Sequence, residues 1–153
     1  MNRNLEAFCG LYCGACPVYL KREDDWIVKT VLEQHELAFD DLHCEGCRTE
    51  SLSPSCQNCA VRDCAKNQGL DSCSSCDELP CEQIAIFGHI RPHAGEVVGN
   101  LLALRHHGSE KWLANQAKQW ACITCGRVGS WYERVCAECG STLEAGYSIE
   151  SSI

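Results

Sequence analysis

Between Glu36 and Glu82 the chain has almost no apolar material from which to build a core. These 47 residues hold eight cysteines but only seven of Leu, Ile, Val and Phe, and no Trp, Tyr or Met. Seven such side chains do not offset the ordering entropy of so long a segment. A tetrahedral thiolate zinc site contributes about 10–16 kcal/mol in small domains. The cysteines are therefore expected to replace the missing core.

The whole chain has 15 cysteines in 153 residues. That density means disulfides in a secreted protein, and metal or redox chemistry in a cytosolic one. The opening MNRNLEAFCG carries no apolar h-region before its first cysteine, so no signal peptide is expected. The longest apolar run, IAIF, is far too short to span a bilayer. An odd cysteine count with repeated C-x2-C pairs fits metal sites better than a disulfide framework. The expectation is a cytoplasmic protein with reduced or metal-bound thiols.

A net charge of −8 weighs against nucleic acid or an anionic membrane as partner. Another protein is the expected partner. The charge is uneven: Arg105 to Cys139 holds five basic and three acidic residues, leaving eight and eighteen for the rest.

The clearest metal motif is C-terminal, Cys122-x2-Cys125-x10-Cys136-x2-Cys139, with a glycine after each pair, Gly126 and Gly140. Glycine takes the positive φ that such a turn favours, and two turns brought together close a four-thiolate shell. Trp131, Tyr132 and Val135 between the pairs read as strand, so a β zinc ribbon is expected here. A rubredoxin-like iron site uses the same ligands. Arg127 and Arg134 beside Trp131 and Tyr132 raise a lesser possibility, contact with nucleic acid through the ribbon.

The other eleven cysteines form four groups: Cys9, Cys13, Cys16; Cys44, Cys47; Cys56, Cys59, Cys64; and Cys73, Cys76, Cys81. The last two share the spacing C-x2-C-x4-C, a degenerate internal repeat. Eleven ligands make two four-cysteine sites with three thiols over, or three sites if a histidine joins. His43, His89 and His93 are the candidates, although each reads more simply as an exposed or core imidazole. Which groups share a metal stays open. Zinc is the expected metal, roughly two or three ions; the alternative is zinc plus one 4Fe-4S cluster on the N-terminal triplet. Cys16-Pro17 is like the cysteine–proline that closes ferredoxin runs, but ferredoxins begin C-x2-C where this chain has C-x3-C. Such a cluster would make an electron carrier or redox sensor.

The Cys9–Cys13–Cys16 spacing also occurs in radical S-adenosylmethionine enzymes. Those need a large βα barrel, and this chain is too short and lacks the alternating strand–helix pattern. A thioredoxin-like βαβ context is also missing. There is no Ser–His–Asp set and no phosphate loop, and Asp24-Asp25 and Asp40-Asp41 read as solvated charges.

The helical signals lie elsewhere. Pro17 suits the first position of a helix, and Leu20, Ile27, Val28, Val31 and Leu32 predict one running to about His35. Ile84, Phe87 and Ile90 predict a short helix stopping near Arg91-Pro92. Val97, Val98, Leu101, Leu102 and Arg105 predict another ending near His107-Gly108. Ser109 is the expected N-cap of a third, with Trp112, Leu113, Gln116, Ala117 and Trp120 on one side. The expected fold class is a mainly α, cysteine-rich domain with irregular metal-binding loops, plus a C-terminal β zinc ribbon. Its divisions are a cysteine-rich domain over 1–90, a helical connector over 91–120, the ribbon over 121–141 and a loose tail over 142–153.

The segments CGLYCGACP, CEGCR, CAVRDCAKNQGLDSCSSCDELPC and WLANQAKQWACITCGRVGSWYERVCAECG together resemble an uncharacterised prokaryotic family of cysteine-rich proteins, a domain of unknown function. The likeness spans most of residues 9 to 140. It implies metal binding, and it implies no activity or partner. One departure is that Ile123 and Ala137 stand where ribbons of this kind often carry proline. The resulting reading is a non-catalytic, zinc-stabilised scaffold or adaptor.

Overall fold

A computed structural model describes residues 1–149, and the chain in it is mainly helical. The helices are α1 (Trp26–Gln34), α2 (Pro54–Gln57), α3 (Ala60–Asn67), α4 (Glu82–Phe87), α5 (Val97–His107) and α6 (Ser109–Trp120). Between them run turns and loops that carry most of the cysteines.

The periodic C-terminal helices form where their apolar spacing predicts. In α5 the buried residues Val97, Leu101 and Leu104 follow one helical stripe. In α6 they are Trp112, Leu113, Gln116 and Trp120. Gly108, with φ +82°, joins the two helices and holds the capping position one residue before the expected Ser109.

α5 is the central post, because its stripe serves two cores. Val97 and Leu101 pack with Ala7, Phe8, Cys9, Val61, Ala65 and Ile84. Leu104 packs with Tyr12, Ala15, Trp112, Leu113, Trp120 and Trp131. A third, smaller core of Val18, Val28, Val31 and Leu42 lies under α1.

Two expectations are overturned. The helix expected from Pro17 begins only at Trp26, because the Asp25 carboxylate accepts from the Ile27 N–H at 2.8 Å and caps it there. Asp25 is therefore a cap and not a solvated charge. Upstream, residues 17–21 form turns, with Lys21 in the left-handed region at φ +57°.

The second correction concerns the β zinc ribbon, which does not form: there is no strand among the described residues. Its segment holds isolated antiparallel bridges, Ala121 to Val128 and Val135 to Thr142, each within one cysteine turn. The residues that read as strand are drawn to the helical body. The Trp131 N–H donates to the Ala15 carbonyl at 3.0 Å, and its ring stacks on His93 with centroids 4.3 Å apart. Tyr132 meets Trp26 and Tyr147 edge-on. A ladder this short has little stability of its own, and aromatic burial against α1 and the 93–96 turn wins.

Residues 142–149 are docked where a loose tail was expected. The Leu143 N–H donates to Arg134, the Tyr147 N–H to Trp131, and the Tyr147 hydroxyl to Glu96 at 2.7 Å. The rest of that expected tail, 150–153, lies outside the described residues.

His93 is a core imidazole. Its Nδ1 lies 2.8 Å from the Tyr132 hydroxyl, and burial, reinforced by the nearby Arg91 charge, pulls it down to about 4. A histidine lowered in the folded state adds stability above its unfolded pKa of about 6.5. That stability is lost as pH falls from about 6.5 through about 4, because the unfolded chain binds the proton first. The contribution approaches about 3 kcal/mol. Denaturation of the protein and of His93→Phe across this range should show a flatter pH dependence for the variant. Equal slopes would remove this role.

Candidate metal centre

The two C-terminal C-x2-C-G segments fold as matched turns. The Gly126 N–H donates to the Cys122 carbonyl and the Gly140 N–H to the Cys136 carbonyl, both at 2.8 Å. Gly126 and Gly140 sit at φ +79° and +75°, as their place after each pair predicts. The turns bring four thiols together: Cys122 Sγ is 3.5 Å from Cys139 Sγ, and Cys125 Sγ is 3.6 Å from Cys136 Sγ. All four sulfurs lie within 4.8 Å of one another. Cys122 and Cys136 are buried on Leu143, while Cys125 and Cys139 face outward.

Backbone amides favour the ionised form here. The N–H groups of Cys125 and Thr124 pull the Cys122 thiol down to about 6, and those of Cys139 and Glu138 lower Cys136. Cys125, held among the sulfurs of the other three, is instead raised to about 12, and the four side chains together offer a set that could hold a metal ion.

The eleven N-terminal cysteines are all free thiols; Cys9, Cys13, Cys47, Cys59, Cys73 and Cys81 pack on the first core and Cys16 and Cys44 on the third. Among the described residues no further set of three closes to the C-terminal span. They do fall into neighbourhoods. Cys9 lies close to Cys47, Cys59 and Cys73. Cys13 lies between Cys16, Cys47 and Cys9, with the Cys47 backbone N–H directed at its sulfur. Cys16 instead faces Cys56 and Cys44, and both Cys16 and Cys44 pack on the core under α1. Cys73 gathers Cys81, Cys76 and Cys64, with Cys59 beyond. The opening triplet is therefore divided, with Cys9 and Cys16 looking to different partners. Burial raises the Cys9 and Cys13 thiols and pushes Cys16 up to about 12. His93 packs in the core as described, and His43 is exposed.

Arginines brace these loops where apolar residues are lacking. Arg62, itself buried, donates to the carbonyls of Cys56 and Gln57, both at 2.7 Å. Arg105 of α5 donates to Ser74 and Cys76, at 2.7 and 2.6 Å. Arg48, next to Cys47, reaches the Glu6 carbonyl at 2.8 Å and its carboxylate at 2.9 Å. Sequence reasoning does not single these residues out as braces. For Arg48 and Arg62 the available signal was an arginine beside, or three residues from, a cysteine; Arg105 shows in the sequence only as part of a helix face.

Residues 5–86, more than half of the chain, match a family model described as "Protein of unknown function (DUF3795)". The chain belongs to the DUF3795 family. The match covers the loops with the eleven cysteines and ends before α5, so the C-terminal thiols of this DUF3795 chain lie beyond it. No curated protein matches the chain, and no solved structure does. No helix among the described residues is long and apolar enough to cross a membrane.

Proposed function

We propose that this DUF3795 protein is a non-catalytic, zinc-stabilised scaffold that acts through contact with another protein. The observation carrying this is the closed set of four thiols at Cys122, Cys125, Cys136 and Cys139. A Zn–S bond of about 2.3 Å in a tetrahedron puts sulfurs about 3.8 Å apart, close to the 3.5 and 3.6 Å found. With all four positions filled by protein, such an ion has no vacancy for substrate. Fifteen free thiols suit a reducing compartment, the cytoplasm.

The aromatic residues beside the site support an internal role over nucleic-acid contact. Trp131 is buried, and Arg127 is held by Glu133 at 2.9 Å. Glu133 also faces Arg22 at 3.7 Å, so both guanidiniums are engaged within the fold by one carboxylate.

Anaerobic purification with elemental analysis and an absorption spectrum tests the proposal. Zinc above one ion per chain, with no visible band, is expected. Iron and sulfide in equal amounts, with a bleachable band near about 400 nm, would replace zinc by a cluster in the N-terminal loops. Iron alone without sulfide would indicate a rubredoxin-like C-terminal site.

A further inference from the structure

Away from the thiols, a cavity of about 480 Å³ lies between Glu6, the 71–77 turn and the junction of α5 with α6. Its lining carries both signs of charge, and the fold leaves part of each unmatched. Glu6 is the buried member. Arg3 and Arg48 both donate to its Oε1, at 3.0 and 2.9 Å. No group of the protein donates to its Oε2, although that oxygen is also buried. A buried carboxylate oxygen without a donor is costly, and a donor entering the cavity relieves it. Asp71 is taken by Arg3 and Arg48, but Asp77, on the same cavity, is exposed and makes no ion pair.

The positive side is equally open. Arg105 donates its Nε and Nη2 protons to the neutral carbonyls of Ser74 and Cys76 and pairs with no carboxylate. Helix α6 starts at Ser109 without a side-chain cap. Gly108 stands before it, and nothing lies within 4 Å of where a Cβ would be. The first helical bond runs from the Trp112 N–H to the Gly108 carbonyl at 3.1 Å. The amides of Ser109, Glu110 and Lys111 therefore precede the ladder and face out of the helix end. A helix start left open in this way draws negative charge.

Charges of both signs on one cavity, not neutralised in place, suit a ligand that carries both. One metal ion does not satisfy the acids, because Glu6, Asp71 and Asp77 do not close to within 4.8 Å of one another. A simple anion would meet those carboxylates, and a simple cation would meet Arg105 and the helix start. We propose that this cavity binds a small zwitterion, a free amino acid. Its ammonium donates to Glu6 Oε2 with Asp77 as counter-charge. Its carboxylate accepts from the first amides of α6 beside Arg105.

The full-length protein, purified anaerobically with its metal, is mixed with the twenty common L-amino acids at millimolar concentration and read by saturation-transfer NMR. At least one amino acid should receive saturation. Its N-acetyl and methyl-ester derivatives, each lacking one charge, should bind about tenfold more weakly or worse. Two variants address the two ends. Asp77→Asn should weaken the amino acid and leave the N-acetyl derivative unchanged. Ser109→Pro removes one amide at a position where proline preserves the helix, and it should weaken the amino acid and leave the methyl ester unchanged. Circular dichroism checks that both variants fold, and the derivative comparison needs neither of them. Saturation of none of the twenty, or equal binding of the amino acid and its two derivatives, would overturn the proposal. So would folded variants that both bind as the parent protein does.

Discussion

Replacing Cys136 by Ala should strip the metal from the C-terminal set and melt residues 121–143 while the helices remain. Cys136 is the most buried of the four thiols, 1% exposed, and it receives the amides of its own turn. Structural zinc contributes about 10–16 kcal/mol in small domains, and little else orders this segment. Among the described residues it has no strand, and beyond the thiols its buried contacts are chiefly Leu143 and the docked Trp131. Helices α5 and α6 carry their own core and should keep their slow amide exchange. Elemental analysis with hydrogen exchange reads both halves. Unchanged metal content in the variant would show that these thiols hold no ion.

Glu6→Ala is the second large effect, expected to cost about 3–5 kcal/mol. Glu6 lies under the N-terminus with its side chain 1% exposed, and its carboxylate takes Arg48 at 2.9 Å and Arg3 at 3.0 Å. Both arginines continue to Asp71, at 2.6 Å from Arg3 and 3.5 Å from Arg48. Arg48 also lies over the Phe8 ring, 4.5 Å from its centroid. Removing the carboxylate leaves Arg48 beside Cys47 largely buried and without its main counter-charge. Chemical denaturation should show the loss, and Arg48→Ala in the same background should recover part of it, since the two sites couple. A loss under about 1 kcal/mol would mean that the pair is no more than a surface bridge.

What could be read in advance divides along a physical line. Helices α5 and α6 were legible because their apolar residues repeat at 3.6 and meet one another locally. The C-terminal thiols were legible because both turns are local and each glycine marks a positive φ. The ribbon was misread for the opposite reason. Trp131 and Tyr132 carry β propensity, but their partners, His93, Trp26 and Ala15, lie far off in sequence and outweigh it. The false start at Pro17 has the same origin, since an Asp25 cap decides the boundary over a longer apolar pattern. Glu6 left a faint trace, one charge inside LEAF. The grouping of thiols left none, because spacing speaks for neighbours along the chain and not for those across a core.

The bond from the Trp131 N–H to the Ala15 carbonyl has a topological meaning. It closes residues 15–131 into a ring, fastened at the turn between Cys13 and Cys16. Closing so long a loop has an entropic cost that grows slowly with length, and once closed it confines the N-terminal loops at high effective concentration. Opening the clasp would free the 13–16 turn at its carbonyl, while Phe8 and Cys9 stay packed on α5. The turn that carries Cys13 and Cys16 and the segment that carries the C-terminal thiols should therefore loosen together.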